Sequence, residues 1–194
     1  MAAVYHWPNN NTVILRMPRQ LYTLALYFAS PLFLLHLLVR GFGNPAYWRR
    51  WRERFGLVAR SPAPVIWLHA VSVGETRAAQ PLVRRLCAHY PDHRILITTT
   101  TPTGSEQVGL LFGNSDLADR IDHCYMPYDL PGAISRFLNR KQPVAAIIME
   151  TEIWPNVFHQ CRRRQIPLSM VNVRISAGSY QGYRRFPKPV SYTH

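Results

Sequence analysis

From residue 64 to residue 173, short and nearly unbroken apolar runs alternate with helix-patterned stretches. The runs are "PVIWLHAV", "RILITTTT", "HCYMPYD", "AAIIM" and "PLSMVNV". A strand that is apolar on both sides must be covered on both sides, so this alternation predicts parallel β-α-β units with helices on each face of one sheet. That is an α/β, Rossmann-like domain. "SVGE" is expected to be a turn after the first strand. "TRAAQPLVRRLCAHY" then puts Ala78, Ala79, Leu82, Val83, Leu86 and Tyr90 at helical spacing, with Pro81 expected to kink the helix. "PTG" reads as the turn after the second strand, with Ser105 as the next N-cap. Pro131 opens a helix that buries Ile134, Phe137 and Leu138, and Pro155 opens the last one, which ends in Arg162, Arg163 and Arg164. That basic run is most simply a solvated helix end complementing the dipole.

In open parallel sheets, ligands bind beyond the carboxyl ends of the strands. Polar residues gather at those ends. Ser72, Gly74 and Glu75 follow the first strand, Thr98 to Thr101, Thr103 and Gly104 the second, Tyr128 and Asp129 the third. Glu150 and Glu152 follow the fourth, Asn172 and Arg174 the fifth. Acids are scarce in this chain, with 10 Asp and Glu against 23 Lys and Arg and a net charge of +13. Two carboxylates at the end of a buried strand are therefore notable. Glu75 begins a helix, where the dipole and the free N–H groups favour a carboxylate. It has the chemistry to accept a proton from a substrate hydroxyl, and equally that of a plain helix cap. Glu150 and Glu152 alternate along an extended stretch and are expected to point to opposite sides. One of them near a reacting centre would stabilise a cationic, oxocarbenium-like transition state; an ion pair with a nearby Arg is the alternative. The Thr run and the Pro-Thr-Gly turn offer hydroxyls and N–H groups to phosphate or sugar, but Thr is also ordinary strand material. His69 sits beside a strand end and reads as a core histidine. No phosphate-binding glycine fingerprint is present, and neither the three cysteines nor the eight histidines have metal-ligand spacing, so no metal or cofactor is expected.

The N-terminal part is of another kind. "LYTLALYFASPLFLLHLLV", residues 21–39, carries no Lys, Arg, Asp or Glu. As a helix it is ~28 Å long, enough to cross the hydrocarbon core, with a buried core helix as the alternative. Arg40, Arg49, Arg50, Arg52, Arg54 and Arg60 follow it, opposed only by Glu53, with Trp48, Trp51 and Phe55 among them. That pattern predicts an anchor whose basic flank stays in the cytoplasm, against an anionic leaflet. Residues 1–16 show no pattern and are expected to be a non-native or disordered extension, with Met17 the natural start.

"HAVSVGE", "TTTTPTG", "MPYDLP", "METEIWPN" and "GYRRF", in that order, together resemble the bacterial 3-deoxy-D-manno-octulosonic acid (Kdo) transferases of lipopolysaccharide assembly. The resemblance runs from about Met17 to about Phe186. It implies a glycosyltransferase of the GT-B type, with two Rossmann-like domains facing across a cleft. Such an enzyme moves Kdo from CMP-Kdo to lipid IVA, a tetraacylated, bisphosphorylated lipid A precursor, at the cytoplasmic face of the inner membrane. The resemblance assigns the proton acceptor to Glu75 and the transition-state stabiliser to Glu150. Ser72, Gly74, Thr101, Thr103, Gly104, Glu152, Asn172 and Arg174 are the expected substrate contacts. The implied layout is an anchor at 17–40, a basic linker at 41–64 and an acceptor-binding domain at 65–186. An aberrant tail at 187–194 follows, and the CMP-binding domain is expected to be missing, so that the chain alone is inactive. A non-catalytic, membrane-anchored binder of the lipid is the alternative. Nucleic-acid binding, suggested by charge alone, lacks the basic and aromatic motifs of known readers.

Overall fold

Val65, Ile66, Trp67, Leu68 and His69 form a strand in which every residue is buried, at the centre of a six-stranded sheet. In the computed structural model the described residues are Tyr5, His6, 19–150 and 152–172. The strands are β1 (Tyr5–His6), β2 (Val65–His69), β3 (Arg94–Thr99), β4 (Ile121–Tyr125), β5 (Pro143–Met149) and β6 (Leu168–Val171). The helices are α1 (Arg19–Gly43), α2 (Val73–His89), α3 (Pro102–Phe112), α4 (Pro131–Lys141) and α5 (Pro155–Arg163). The order across the sheet is β1-β6-β5-β2-β3-β4. β2 to β6 pair in parallel, and the two-residue β1 adds to β6 in the antiparallel sense.

Each face of the sheet has its own apolar cluster. Ile66, Leu68, Ile95 and Ile97 pack under Ala79, Val83 and Cys87 of α2 and Val108 and Phe112 of α3. Trp67, Leu96, Ala146 and Ile148 pack under Ile134, Phe137 and Leu138 of α4 and Val157 and Cys161 of α5. Alternate residues of one strand thus feed two cores, which is why the strands read as unbroken apolar runs. The inward stripe of α2 differs from the expected one at two places. Ala78 and Tyr90 are exposed, and Thr76 and Cys87 are buried instead. Tyr90 lies beyond the last helical residue with φ −123° and ψ 71°, so helical periodicity no longer aims it inward. Pro81 lies inside α2, which runs as one helix from residue 73 to residue 89.

Two expected turns are first turns of helices. Ser72 is the N-cap of α2, and "VGE" is already helical. Thr101, not Ser105, caps α3: its Oγ1 accepts the Gly104 N–H at 3.1 Å, and Pro102 fills the position where a missing N–H costs nothing.

The linker between α1 and β2 is not a free basic strap. Arg50 Nη2 donates to His123 O at 2.8 Å, and the Tyr125 N–H donates to Glu53 Oε2 at 2.8 Å. These side chains pair backbone groups on the exposed edge of β4, where a free edge would otherwise invite another strand. Arg54 is buried, donates to Thr100 O at 3.0 Å and lies 4.5 Å over the Tyr125 ring. Gly56, at φ +76°, ends this stretch, and a Cβ there would stand 2.1 Å from Ala133 O. Of the linker arginines expected at the membrane surface, Arg49, Arg50, Arg52 and Arg60 are exposed and Arg54 is not.

Candidate active site

The chain runs outward from β2 to β3 and β4 on one side, then crosses back to place β5 and β6 on the other. The direction of winding reverses between β2 and β5. A crevice opens at the carboxyl ends of strands where the order reverses, because the two flanking loops leave in opposite directions. Here those loops are "VSVGE" after β2 and "ETE" after β5, so the fold brings Glu75 into the same crevice as Glu150 and Glu152 across some 75 residues of sequence.

Glu75 is held by its own helix start. The Ser72 hydroxyl donates to Glu75 Oε1 at 2.8 Å and accepts the Glu75 N–H at 3.2 Å. The Val71 N–H donates to Glu75 Oε2 at 2.8 Å. The arrangement is a variant of the capping box: the cap hydroxyl takes the Glu75 N–H, and the carboxylate reaches back to that hydroxyl and to the N–H one residue before the cap. Each carboxylate oxygen carries one hydrogen bond and keeps a further lone pair. Thr100 Oγ1 donates to Val71 O at 3.3 Å and so ties the loop after β3 to the same turn.

Glu150 and Glu152 do not alternate along a strand. β5 stops at Met149, and Glu150 takes a left-handed conformation at φ +58°. A non-glycine residue held there carries strain of about 1 kcal/mol or more, and such residues concentrate at functional sites. The Glu150 N–H is fixed by Val171 O at 2.8 Å. The extended geometry on which the expected alternation rests is absent at Glu150. The Glu152 carboxyl is pushed up from its ordinary pKa, first by burial, then by the charge of Glu75, and further by that of Glu150. The Trp154 indole N–H offsets part of this but closes no hydrogen bond. Among the described residues neither acid forms an ion pair, so the arginine partner weighed above is not present there.

The other expected contacts fall in different places. Gly74 is exposed on the first turn of α2, and Thr103 is exposed on that of α3, 3.1 Å from the Thr101 hydroxyl. Gly104 serves packing: a Cβ there would meet Thr99 Cβ at 3.0 Å. Ser72 and Thr101 both act as caps. Asn172 follows β6, beside Glu150, in a left-handed conformation at φ +56°. Arg174 and "GYRRF" lie outside the described residues.

The roles of three groups escaped sequence reasoning. The α5 start has no side-chain cap of its own, and Asp129 supplies one from outside: its carboxylate accepts the Asn156 N–H at 3.0 Å and the Val157 N–H at 2.9 Å. The signal was available, because a helix beginning Trp-Pro-Asn leaves N–H donors that something must satisfy. Arg54 is a buried cation with no carboxylate within ion-pair distance among the described residues. Trp154 stands edge-on to His69, with ring centroids 5.9 Å apart. Beside it, a cavity of about 300 Å³ lies between α1 and the strand ends, lined mainly by Tyr22, Leu26, Phe33, Tyr128 and Trp154.

His69 is the core histidine the sequence suggested. It is fully buried, with Nδ1 2.9 Å from Thr98 Oγ1, and burial lowers its pKa to about 4. His123 is lowered to about 3, by burial first and then by Arg50. In the unfolded chain both rings take up protons near pH 6.5, so below that pH the unfolded state binds more protons and gains on the native state. Asp129, raised by burial to about 6, acts in the opposite sense between its unfolded value of 3.8 and 6, and is outweighed by the two rings. Thermal unfolding should therefore show Tm falling as pH drops from 7 to 4, with a shallower fall in His123→Gln. A Tm that is flat or rising over that range would contradict the buried, neutral state of these rings.

A family model described as 3-Deoxy-D-manno-octulosonic-acid transferase (kdotransferase) matches residues 49–193. The chain belongs to this family. It is 44% identical over 170 residues to the 3-deoxy-D-manno-octulosonic acid transferase of Haemophilus influenzae, covering 86% of this chain and 39% of that protein. The Bordetella pertussis transferase is 41% identical over 168 residues, covering 84% and 39%, and that of Chlamydophila psittaci is 30% identical over 162 residues, covering 82% and 36%. The chain thus spans well under half the length of these Kdo transferases. The α/β class and the apolar helix ahead of the domain, both read from the sequence, are those of the structure, and the resemblance carried by the five motifs is that of the family.

Proposed function

We propose that this chain is the acceptor-side half of a GT-B enzyme that transfers Kdo from CMP-Kdo to lipid IVA, with inversion, at the cytoplasmic face of the inner membrane. The observation that carries the proposal is the convergence of Glu75, Glu150 and Glu152 on one crevice of a strongly basic Kdo transferase chain. Glu75 takes the proton of the attacking lipid hydroxyl. The oxygen forms its bond to the anomeric carbon of Kdo while CMP departs with the electrons of the bond that breaks. CMP leaves as an anion and needs no proton, so one base is enough. Glu150, held in its strained turn, faces the developing positive charge, and the partly buried, acidic surroundings of Glu152 strengthen that field. Ser72 and Val71 orient the base; Gly74, Thr103, Asn172 and Arg174 are the substrate contacts. The basic surface around the site concentrates an anionic lipid acceptor. The CMP pocket lies in the part of the relatives beyond the matched stretch.

The direct test supplies CMP-Kdo and labelled lipid IVA to the complete enzyme and to residues 1–194 alone. Kdo-bearing lipid from the complete enzyme only is the expected result, and product from the short chain would place the donor pocket within it. A sharper check is Gly74→Ala. A Cβ at Gly74 would touch only Ser72 Oγ, at 3.8 Å, and Ala is the better helix former by up to about 1 kcal/mol. The fold should accept Ala with an unchanged or raised Tm, while turnover falls about tenfold or more because the methyl intrudes on substrate. Unchanged turnover would remove Gly74 from the site.

A further inference from the structure

We infer that α1 is an in-plane membrane element, held along its N-terminal end and middle by the catalytic domain and offering only its outer face to lipid, rather than a helix that crosses the bilayer. This rests on the reading of the protein as a membrane-bound enzyme. The N-terminal end of α1 is bonded to the start of α5. Arg19 Nη1 and Thr23 Oγ1 each donate to Asn156 Oδ1 at 3.1 Å. Asn156 is wholly buried, and its Nδ2 donates back to Thr23 Oγ1 at 3.1 Å and to Asp129 O at 2.6 Å. At the middle of the helix, Phe33 stacks on Tyr128 with centroids 5.5 Å apart. At its C-terminal end, Leu37 and Gly41 are buried, and Gly41 lies so close under the Trp48 indole that no Cβ would fit. Arg50, Glu53 and Arg54 then fasten the next turns to β4 and Thr100.

A helix of 25 residues is about 37 Å long, longer than the ~30 Å hydrocarbon core. If α1 crossed, its two ends would lie on opposite sides of the membrane. Its N-terminal end and its middle, and the chain from Arg50 onward, are all held on one folded domain, which cannot be on both sides. The covered residues 19, 22, 23, 26, 29, 30, 33, 37 and 41 recur every three or four positions and form one stripe facing the protein. The stripe holds the polar Arg19, Tyr22, Thr23 and Ser30. The opposite face presents Leu21, Leu24, Phe28, Leu32, Leu35 and Val39, with Phe28 77% exposed. A helix without charge from residue 21 to residue 39 is thus two-faced in context: the polar groups of its covered stripe meet protein, leaving a largely apolar strip for acyl chains. Exposed Arg49 and Arg52 stand beside it for anionic headgroups.

The test uses the complete enzyme in inner-membrane vesicles, with a protease-cleavable tag at the N-terminus and spin labels at Leu24→Cys, Phe28→Cys or Leu35→Cys; Cys87, Cys124 and Cys161 are buried, and labelling of the enzyme without the added cysteine supplies the background. The expected result is tag cleavage only in inverted vesicles, with the three labels at similar depths of about 5–10 Å below the headgroups. Cleavage in right-side-out vesicles, or labels that step through the bilayer midplane, would overturn the in-plane geometry while leaving membrane binding intact. Enzyme recovered without lipid would overturn both this inference and the membrane-bound reading beneath it.

Discussion

Glu75→Gln is expected to lower Kdo transfer by the complete enzyme about 10²- to 10⁴-fold, the usual contribution of a general base, with little change in stability. The geometry separates the two roles of this residue. Glutamine keeps an oxygen able to accept the Val71 N–H, and its amide N–H₂ can donate to the Ser72 hydroxyl, which has a lone pair to spare. The helix start is therefore preserved in shape while the proton acceptor is removed. Turnover should fall with acceptor binding and Tm nearly unchanged. A variant with near-normal turnover would reduce Glu75 to the N-terminal cap that its hydrogen bonds also describe. Ser72→Ala, by contrast, should cost about 1 kcal/mol of stability and weaken turnover less, because it frees the base without deleting it.

Phe137→Ala is expected to be the most damaging single change to the fold. Its ring is completely buried in α4 and meets the buried Trp67 edge-on, centroids 4.9 Å apart, in the middle of one of the two cores. Removing it takes away the transfer free energy of the ring and leaves a cavity between α4 and β2, about 3–5 kcal/mol together. Domains of this size hold only about 5–15 kcal/mol, so the melting temperature should fall by about 10 °C or more, and urea unfolding should shift in step. Because Trp67 lies two residues from the end of β2, transfer should fall as the strand end loosens. A loss below about 1 kcal/mol would mean that α4 collapses onto the sheet and closes the space.

Most of the elements were legible in local pattern. Continuous apolar strands such as Val65–His69, and helix stripes such as Ile134, Phe137 and Leu138, are local patterns of period and composition, and they appear in the structure where the pattern places them. The start of α3 was also open to reading: Pro102 at the first helical position points to Thr101 as the cap, whereas Ser105 falls a turn inside. Strand order was not written in any local pattern. That β5 returns to lie beside β2, bringing Glu150 and Glu152 to Glu75, follows from which apolar faces cover one another, a choice made by packing over the whole domain. The strained turn at Glu150 and the external cap that Asp129 gives α5 are likewise fixed by partners distant in sequence. For α1, the sequence supplied a length and an absence of charge. The polar Arg19, Tyr22, Thr23 and Ser30 fall on one stripe, but what that stripe meets was fixed by packing, because it depends on where Asn156 and Tyr128 stand.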